Sequence, residues 1–218
     1  MRSRRGGRVA RFTVDEVVDA GVRVLDAEGL DALTMRKVAD ELDIPVMTLY
    51  GYVRTRDELV DRIAGEVFRR IQVEADSDKS WASQLYEAVN AMHESMKVHP
   101  GAVDLLMLPR PMVGPTLDHV RDHLLGIVRR AGLDVDQSVS AISACLSYVV
   151  GFTVLETAPA RREPGEEQTE RLRRLPPDEF PYLVEAADGW AHRSADYVFE
   201  AGLRALVASI ELRLQQSV

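Results

Sequence analysis

Apolar positions along this chain recur at intervals of three and four residues, the period of a helix buried on one side, and nowhere alternate long enough to suggest a strand. Thr13 and Glu16 form a capping-box pattern that opens a helix to about Glu28, closed by Gly29, with Val14, Val17, Val18, Val22 and Leu25 on its inner face. A second helix is predicted from Thr34 to Leu42 and a third from Pro45 to about Tyr52. Thr55 and Glu58 repeat the capping box and begin a longer helix to about Val73. Ser80 caps the next, Pro100 and Gly101 separate that one from a short helix, and Pro115, Gly132 and Pro159 punctuate two more. Two closing helices are predicted at about Pro181 to Asp188 and Ser194 to Gln216. Residues 160–177, charged and rich in Arg, Glu and Pro, read as a mobile loop. The pattern predicts an all-α fold with no internal repeat.

The short pair from Thr34 to Val53 is either a plain helical hairpin or a helix-turn-helix, and its spacing argues for the second. Ala39 is small where two helices would cross closely, and Leu42, Ile44, Leu49 and Val53 can share a small core. Asp43 occupies the tight turn, where it can tolerate a left-handed backbone, and Pro45 suits the first turn of a new helix. With Leu49 inward, Val46, Met47, Thr48 and Gly51 face out, in the N-terminal positions from which recognition helices read base edges.

The overall charge of −8 becomes compatible with DNA once it is divided along the chain. Residues 1–70 carry thirteen basic against thirteen acidic side chains, so the whole deficit falls in the remainder. Arg2, Arg4, Arg5, Arg8 and Arg11 stand in the first twelve residues without an acid, a concentration of positive potential that suits a duplex backbone; a solvated tail is the alternative. No apolar stretch follows those arginines as a secretory signal would require, which predicts a cytoplasmic protein. The uncharged run from Gln137 to Leu155 approaches a membrane span in length, but four serines interrupt it and acids and arginine pairs flank both ends, so no membrane is expected. The single Cys145 sits in an apolar run and is expected to be a packed thiol. His119 and His123 lie four apart, a spacing that can bind zinc, yet no further ligand is identifiable and no metal is expected. No Gly-rich phosphate loop, HExxH or GxSxG occurs, so neither an enzyme nor a cofactor is predicted.

The N-terminal motifs resemble the TetR/AcrR family of transcriptional regulators. They are Glu28-Gly29, then Thr34-Met35-Arg36-Lys37-Val38-Ala39, then Thr48-Leu49-Tyr50-Gly51-Tyr52-Val53-Arg54-Thr55-Arg56-Asp57-Glu58-Leu59. Val53 and Arg56 stand where the family commonly has an aromatic and a lysine, as in the subgroup similar to the tetracycline repressor. The resemblance implies an N-terminal three-helix helix-turn-helix domain over residues 1–56 and a C-terminal helical ligand-binding and dimerisation domain over 57–218. It also implies DNA contacts: Thr48 and Tyr50 on phosphates, Arg36 and Arg56 on backbone or bases, and Val46 and Met47 against base edges. Gly51 removes an aromatic common in the subgroup, and Tyr52 could replace that surface or cap the small core.

For the larger part the resemblance implies an effector cavity, expected to be apolar and lined by Met92, Met96, Leu106, Leu124, Tyr148 and Phe152, with Gln72 and Glu87 as polar groups. Packing alone is the alternative for each of them. Leu106 and Leu155 stand near the places where the tetracycline repressor carries a histidine and an acid, so magnesium-tetracycline is not the expected ligand. Phe199, Leu203, Leu206, Val207, Ile210 and Leu214 repeat at helical spacing on the last helix. Paired with the uncharged helix across a two-fold axis, they would form the family's four-helix dimer and match a palindromic double-stranded operator. A ligand-responsive repressor is the resulting expectation, with the helix from Asp57 to about Val73 linking effector to DNA. The competing class is a helical ligand-binding or scaffold protein without specific DNA binding.

Overall fold

Thr13 heads the first helix as its spacing requires: its hydroxyl accepts from the Glu16 N–H at 3.1 Å while the Glu16 carboxylate accepts from the Thr13 N–H at 2.6 Å. The structure, a computed structural model, describes residues 12–71, 78–109, 113–157, 166–191 and 193–216. Helix α1 (Val14–Glu28) ends at Gly29, whose φ of 80° needs the freedom of glycine. Helices α2 (Met35–Glu41) and α3 (Val46–Leu49) follow, capped at their starts by Thr34 and Pro45. The next helix, α4 (Arg56–Val67), continues into a tighter turn over Phe68–Ile71. The chain then forms α5 (Trp81–Val98), α6 (Ala102–Leu106), α7 (Pro115–Arg130) and α8 (Val135–Thr157). Last come α9 (Glu166–Arg173), α10 (Pro181–Ala191) and α11 (Ala195–Gln216). Among the described residues there is no strand.

One continuous core runs through both ends of the chain. Val17, Ala20, Leu49, Val53, Leu59 and Ile63 bury its N-terminal part, and Leu85, Met96, Leu105, Leu124, Val149 and Leu203 its C-terminal part. Helix α4 packs on α1 and, farther along, on α6 and α7, so it belongs to both parts. Gly21 permits the α1–α4 crossing, since a Cβ there would stand 2.5 Å from the Ile63 Cδ1.

Two sequence expectations change here. The loop predicted over residues 160–177 contains α9, which packs against α10 through buried Leu172 and Ala187. The apolar stripe of α11 also faces the other way from its assigned role. Phe199, Leu203, Val207 and Ile210 are buried within the single chain and Leu206 is half-buried, because α5 and α8 cover that face. The exposed side of α11 instead presents Val198, Ala201, Ala205 and Leu212. Helix α8 is long and apolar enough to cross a membrane by length and composition, yet only 33% of its most apolar window is buried, with Val139 and Leu155 left exposed.

Candidate nucleic-acid interface

The turn between α2 and α3 depends on Asp43, whose φ of 51° is in the left-handed region that the sequence analysis said aspartate can tolerate there. Backbone bonds from Asp43 N–H to the Asp40 carbonyl at 3.1 Å and from Ile44 N–H to the Ala39 carbonyl at 3.0 Å close it. Leu49 and Val53 are fully buried beneath, fixing the rotation of α3. That rotation leaves Met47 75% exposed, the greatest exposure of any large apolar residue in this unit, with Tyr50 at 44%. Thr48 is half-buried and Gly51 exposed beside them. Val46 and Tyr52 are half-buried and pack on the core, so Tyr52 serves the small hydrophobic centre at least in part. Gly51 lies past the end of α3, its N–H bonded to the Thr48 carbonyl at 3.0 Å, in a turn rather than a helix.

The two arginines assigned to DNA differ sharply. Arg36 projects from α2 with its side chain 88% exposed and makes a loose 4.0 Å approach to Asp40. Arg56, by contrast, donates from Nε to the Leu33 carbonyl at 2.7 Å and from Nη2 to the Leu30 carbonyl at 2.9 Å. Its guanidinium ties the start of α4 to the α1–α2 connection, a structural role that the expectation of a DNA contact did not include. Behind it, Glu58 accepts from the Arg54 N–H and from Arg62, and those two bonds, in that order, hold its carboxyl below the usual range. Arg2, Arg4, Arg5, Arg8 and Arg11 lie outside the described residues.

In the C-terminal part, Met92, Met96 and Leu124 are buried, and Leu106, Tyr148 and Phe152 are half-buried against the same core. The set assigned to an effector is brought together, but as packed side chains. The larger open cleft, about 770 Å³, lies elsewhere, between α1, α4 and the start of α7, and five of its lining residues are acids: Asp15, Asp57, Glu58, Asp61 and Glu66. A smaller groove of about 450 Å³ separates α5 from α11. Glu87 lines that groove and pairs with Lys79 at 2.8 Å, so it belongs to the surface and not to the Met92–Phe152 group. Gln72 lies outside the described residues.

Sequence reasoning missed the polar centre of this core. His93 is 1% exposed, stacked on Phe199 at 3.8 Å between ring centroids and edge-on to Phe152, with Nε2 2.8 Å from a Glu156 carboxylate oxygen. The signal was present, because His93 falls on the same helical stripe as Leu85, Val89, Met92 and Met96. Burial pushes the Tyr148 hydroxyl and the Cys145 thiol up, the latter to about 11. His119 is exposed, and His123 is half-buried with Nε2 unpartnered; burial, then Arg130, lowers its basicity. Among the described residues no group of three or more His, Cys, Asp or Glu could hold a metal ion.

Comparison with known proteins decides what this arrangement belongs to. Residues 17–63 match the family described as bacterial regulatory proteins, tetR family, and residues 74–214 match the tetracyclin repressor-like C-terminal domain. The chain belongs to the TetR family. It is 34% identical over 170 residues to the HTH-type transcriptional repressor DrrR1 of Streptomyces coeruleorubidus, covering 78% of this chain and 60% of that relative's length. The class E tetracycline repressor protein of Escherichia coli is 25% identical over 210 residues, covering 95% of each chain. Apo ActR from Streptomyces coelicolor superposes with a TM-score of 0.83 at 26% identity, over 96% of this chain and 99% of ActR. ActR bound to actinorhodin gives 0.80 at 26% identity, over 94% and 99%. These likenesses confirm the TetR fold, with its N-terminal helix-turn-helix and helical C-terminal domain.

Proposed function

We propose that this TetR-family chain is a ligand-released repressor that binds a palindromic operator as a homodimer in the cytoplasm and has no catalytic role. The observation that carries the DNA-reading part is the short helix α3 with Leu49 buried and Met47 turned outward, seated by buried Val53 in the turn that follows it. A side chain that apolar costs free energy in water, and thymine methyl groups in a major groove would cover it. Arg36 on α2 and Tyr50 at the end of α3 are also exposed, and we assign them, with Thr48, to phosphates or neighbouring bases.

The dimer reading rests on the outer faces of α8 and α11, where Val139, Leu155, Val198 and Leu212 stand exposed around small residues. A four-helix contact made from those faces would cover them and set two copies of α3 about 34 Å apart, one helical turn of DNA. The effector reading keeps Met92, Met96, Leu106, Leu124, Tyr148 and Phe152 as contacts, reached when the packed core parts to admit a largely apolar molecule. Actinorhodin, bound by ActR, is the first compound to test.

A mobility-shift titration with the duplex flanking the protein's own gene, at several salt concentrations, tests the proposal. Binding that weakens steeply with salt and is relieved by an effector supports it; no preference for any duplex in dilute buffer overturns it in favour of a helical ligand-binding protein.

A further inference from the structure

The seven methionines and the single cysteine of this chain divide by exposure. Met35, Met92 and Met96 are buried, and so is Cys145 in the core beneath α8. Among the described residues, the exposed sulfur-bearing side chains are Met47 on α3, at 75%, and Met107 just after α6, at 64%. Met1 and Met112 lie outside the described residues. Met47 has little beside it for cover: exposed Gly51, four residues on, has no side chain, and an added Cβ there would find only the Thr48 carbonyl oxygen within 4 Å. The fold thus keeps its thiol away from dissolved oxidants and sets a thioether in open solvent on the surface assigned to base edges.

We propose that Met47 is a redox-modification site, and that its conversion to the sulfoxide by a hydroperoxide releases the protein from DNA. It rests on the repressor reading, in which Met47 lies against base edges. The sulfur lone pair attacks one oxygen of the hydroperoxide, the O–O bond breaks, and the departing oxygen takes up the proton of the oxygen transferred. Hydrogen peroxide therefore yields one sulfoxide and one water, with sulfur oxidised by two electrons and the peroxide reduced by the same two. The product is neutral, polar and chiral. Its S–O group would have to shed water to take the thioether's place against thymine methyl groups, which offer it no hydrogen bond in return. Because no charge is gained, the phosphate contacts persist and the loss falls on the base-edge part of binding. The fold is spared, since buried Leu49 and Val53 seat α3 while Met47 points away from them. Methionine sulfoxide reductases, one for each sulfoxide epimer, make the step reversible.

The full chain, free and bound to a duplex selected from a random pool, is treated with hydrogen peroxide; peptide mass spectrometry locates each sulfoxide and a mobility shift reads affinity. In the free protein Met47 and Met107 should oxidise ahead of buried Met35, Met92 and Met96, and a saturating duplex should slow oxidation at Met47 but not at Met107. Protein carrying the sulfoxide at Met47 should bind about tenfold more weakly, as for the loss of one base-edge contact, with an unchanged salt slope. Treatment with both reductases should restore the affinity. Met47→Leu keeps an apolar side chain without the sulfur and, whatever its own affinity, should bind equally before and after peroxide. Met107→Leu should lose affinity on oxidation as the wild type does. Undiminished affinity with the sulfoxide at Met47, or an equal loss in Met47→Leu, overturns the redox site while leaving the DNA reading in place. If the unoxidised protein selects no duplex, or a bound duplex leaves Met47 unprotected, the reading of base edges by Met47 fails first and the redox site falls with it.

Discussion

Tyr148 lies across Gly202. Its hydroxyl donates to the Phe199 carbonyl at 3.0 Å, and its ring occupies the space a side chain at position 202 would need, with the Cζ only 2.6 Å from an ideal Cβ. The residue expected to line an effector site therefore also fastens α8 to α11. Gly202→Val should destabilise the fold by about 1–3 kcal/mol through overpacking, seen as a lower midpoint in denaturant. Pairing it with Tyr148→Leu should restore part of the loss. A Gly202→Val variant as stable as the wild type would show that the ring moves aside freely.

Arg36 and Arg56 should separate in a single experiment. Arg36→Ala is expected to weaken binding to all duplexes alike and to reduce the salt slope by about one, as for the loss of one phosphate contact, with stability unchanged. Arg56→Ala should leave that slope alone while costing about 2 kcal/mol of stability, because two half-buried carbonyls lose a charged donor. Equal salt slopes for wild type and Arg36→Ala would remove Arg36 from the interface.

These arginines show where the sequence was legible and where it was not. Caps, turn residues and the outward side of α3 follow from local chemistry, so Thr13, Asp43, Thr55 and Met47 stand where their spacing put them. Which partner a side chain finds is a tertiary matter: nothing within a few residues of Arg56 announces the Leu30 and Leu33 carbonyls. The same holds for α11, where an apolar stripe at 199, 203, 207 and 210 says that a face is covered but not by which helix. Helix α9 escaped notice because its apolar contribution to burial is Leu172, too little to raise a period above the surrounding charges.

That correction yields a prediction about assembly. Val198→Glu with Leu212→Glu, on the exposed side of α11, should give a folded monomer by gel filtration with helical circular dichroism intact. Leu203→Glu, on the buried side, should fail to fold because it leaves a carboxylate in the core. An outer-face double variant that still elutes as a dimer would place the interface elsewhere.

Cys145 offers a pH test. Burial raises its thiol to about 11, so at pH 8 only about one native molecule in a thousand carries a thiolate. Alkylation should be negligible in the native protein and rapid in denaturant, with free-thiol titration as the measure. The sign for stability follows from the raised value. The protonated thiol is favoured in the fold, so its contribution is complete below the unfolded pKa near 9 and is lost as pH rises towards 11. Rapid native labelling at pH 8 would mean that the α8 core opens far more readily than its packing implies.

Asp43 tests whether the turn before α3 is held by backbone freedom or by its side chain. At φ 51° a residue with a Cβ is strained, and aspartate is among the side chains that tolerate it. Asp43→Gly should therefore be neutral to slightly stabilising, since relief of strain offsets the larger entropy of the unfolded glycine, and Asp43→Ala should cost about 1 kcal/mol. Because the turn sets the angle between α2 and α3, the alanine variant should also bind DNA more weakly than its stability loss explains, and the glycine variant should not. If alanine and glycine prove equal in both measurements, the left-handed turn is not what aims Met47, and the buried Leu49–Val53 contact beneath α3 carries that task alone.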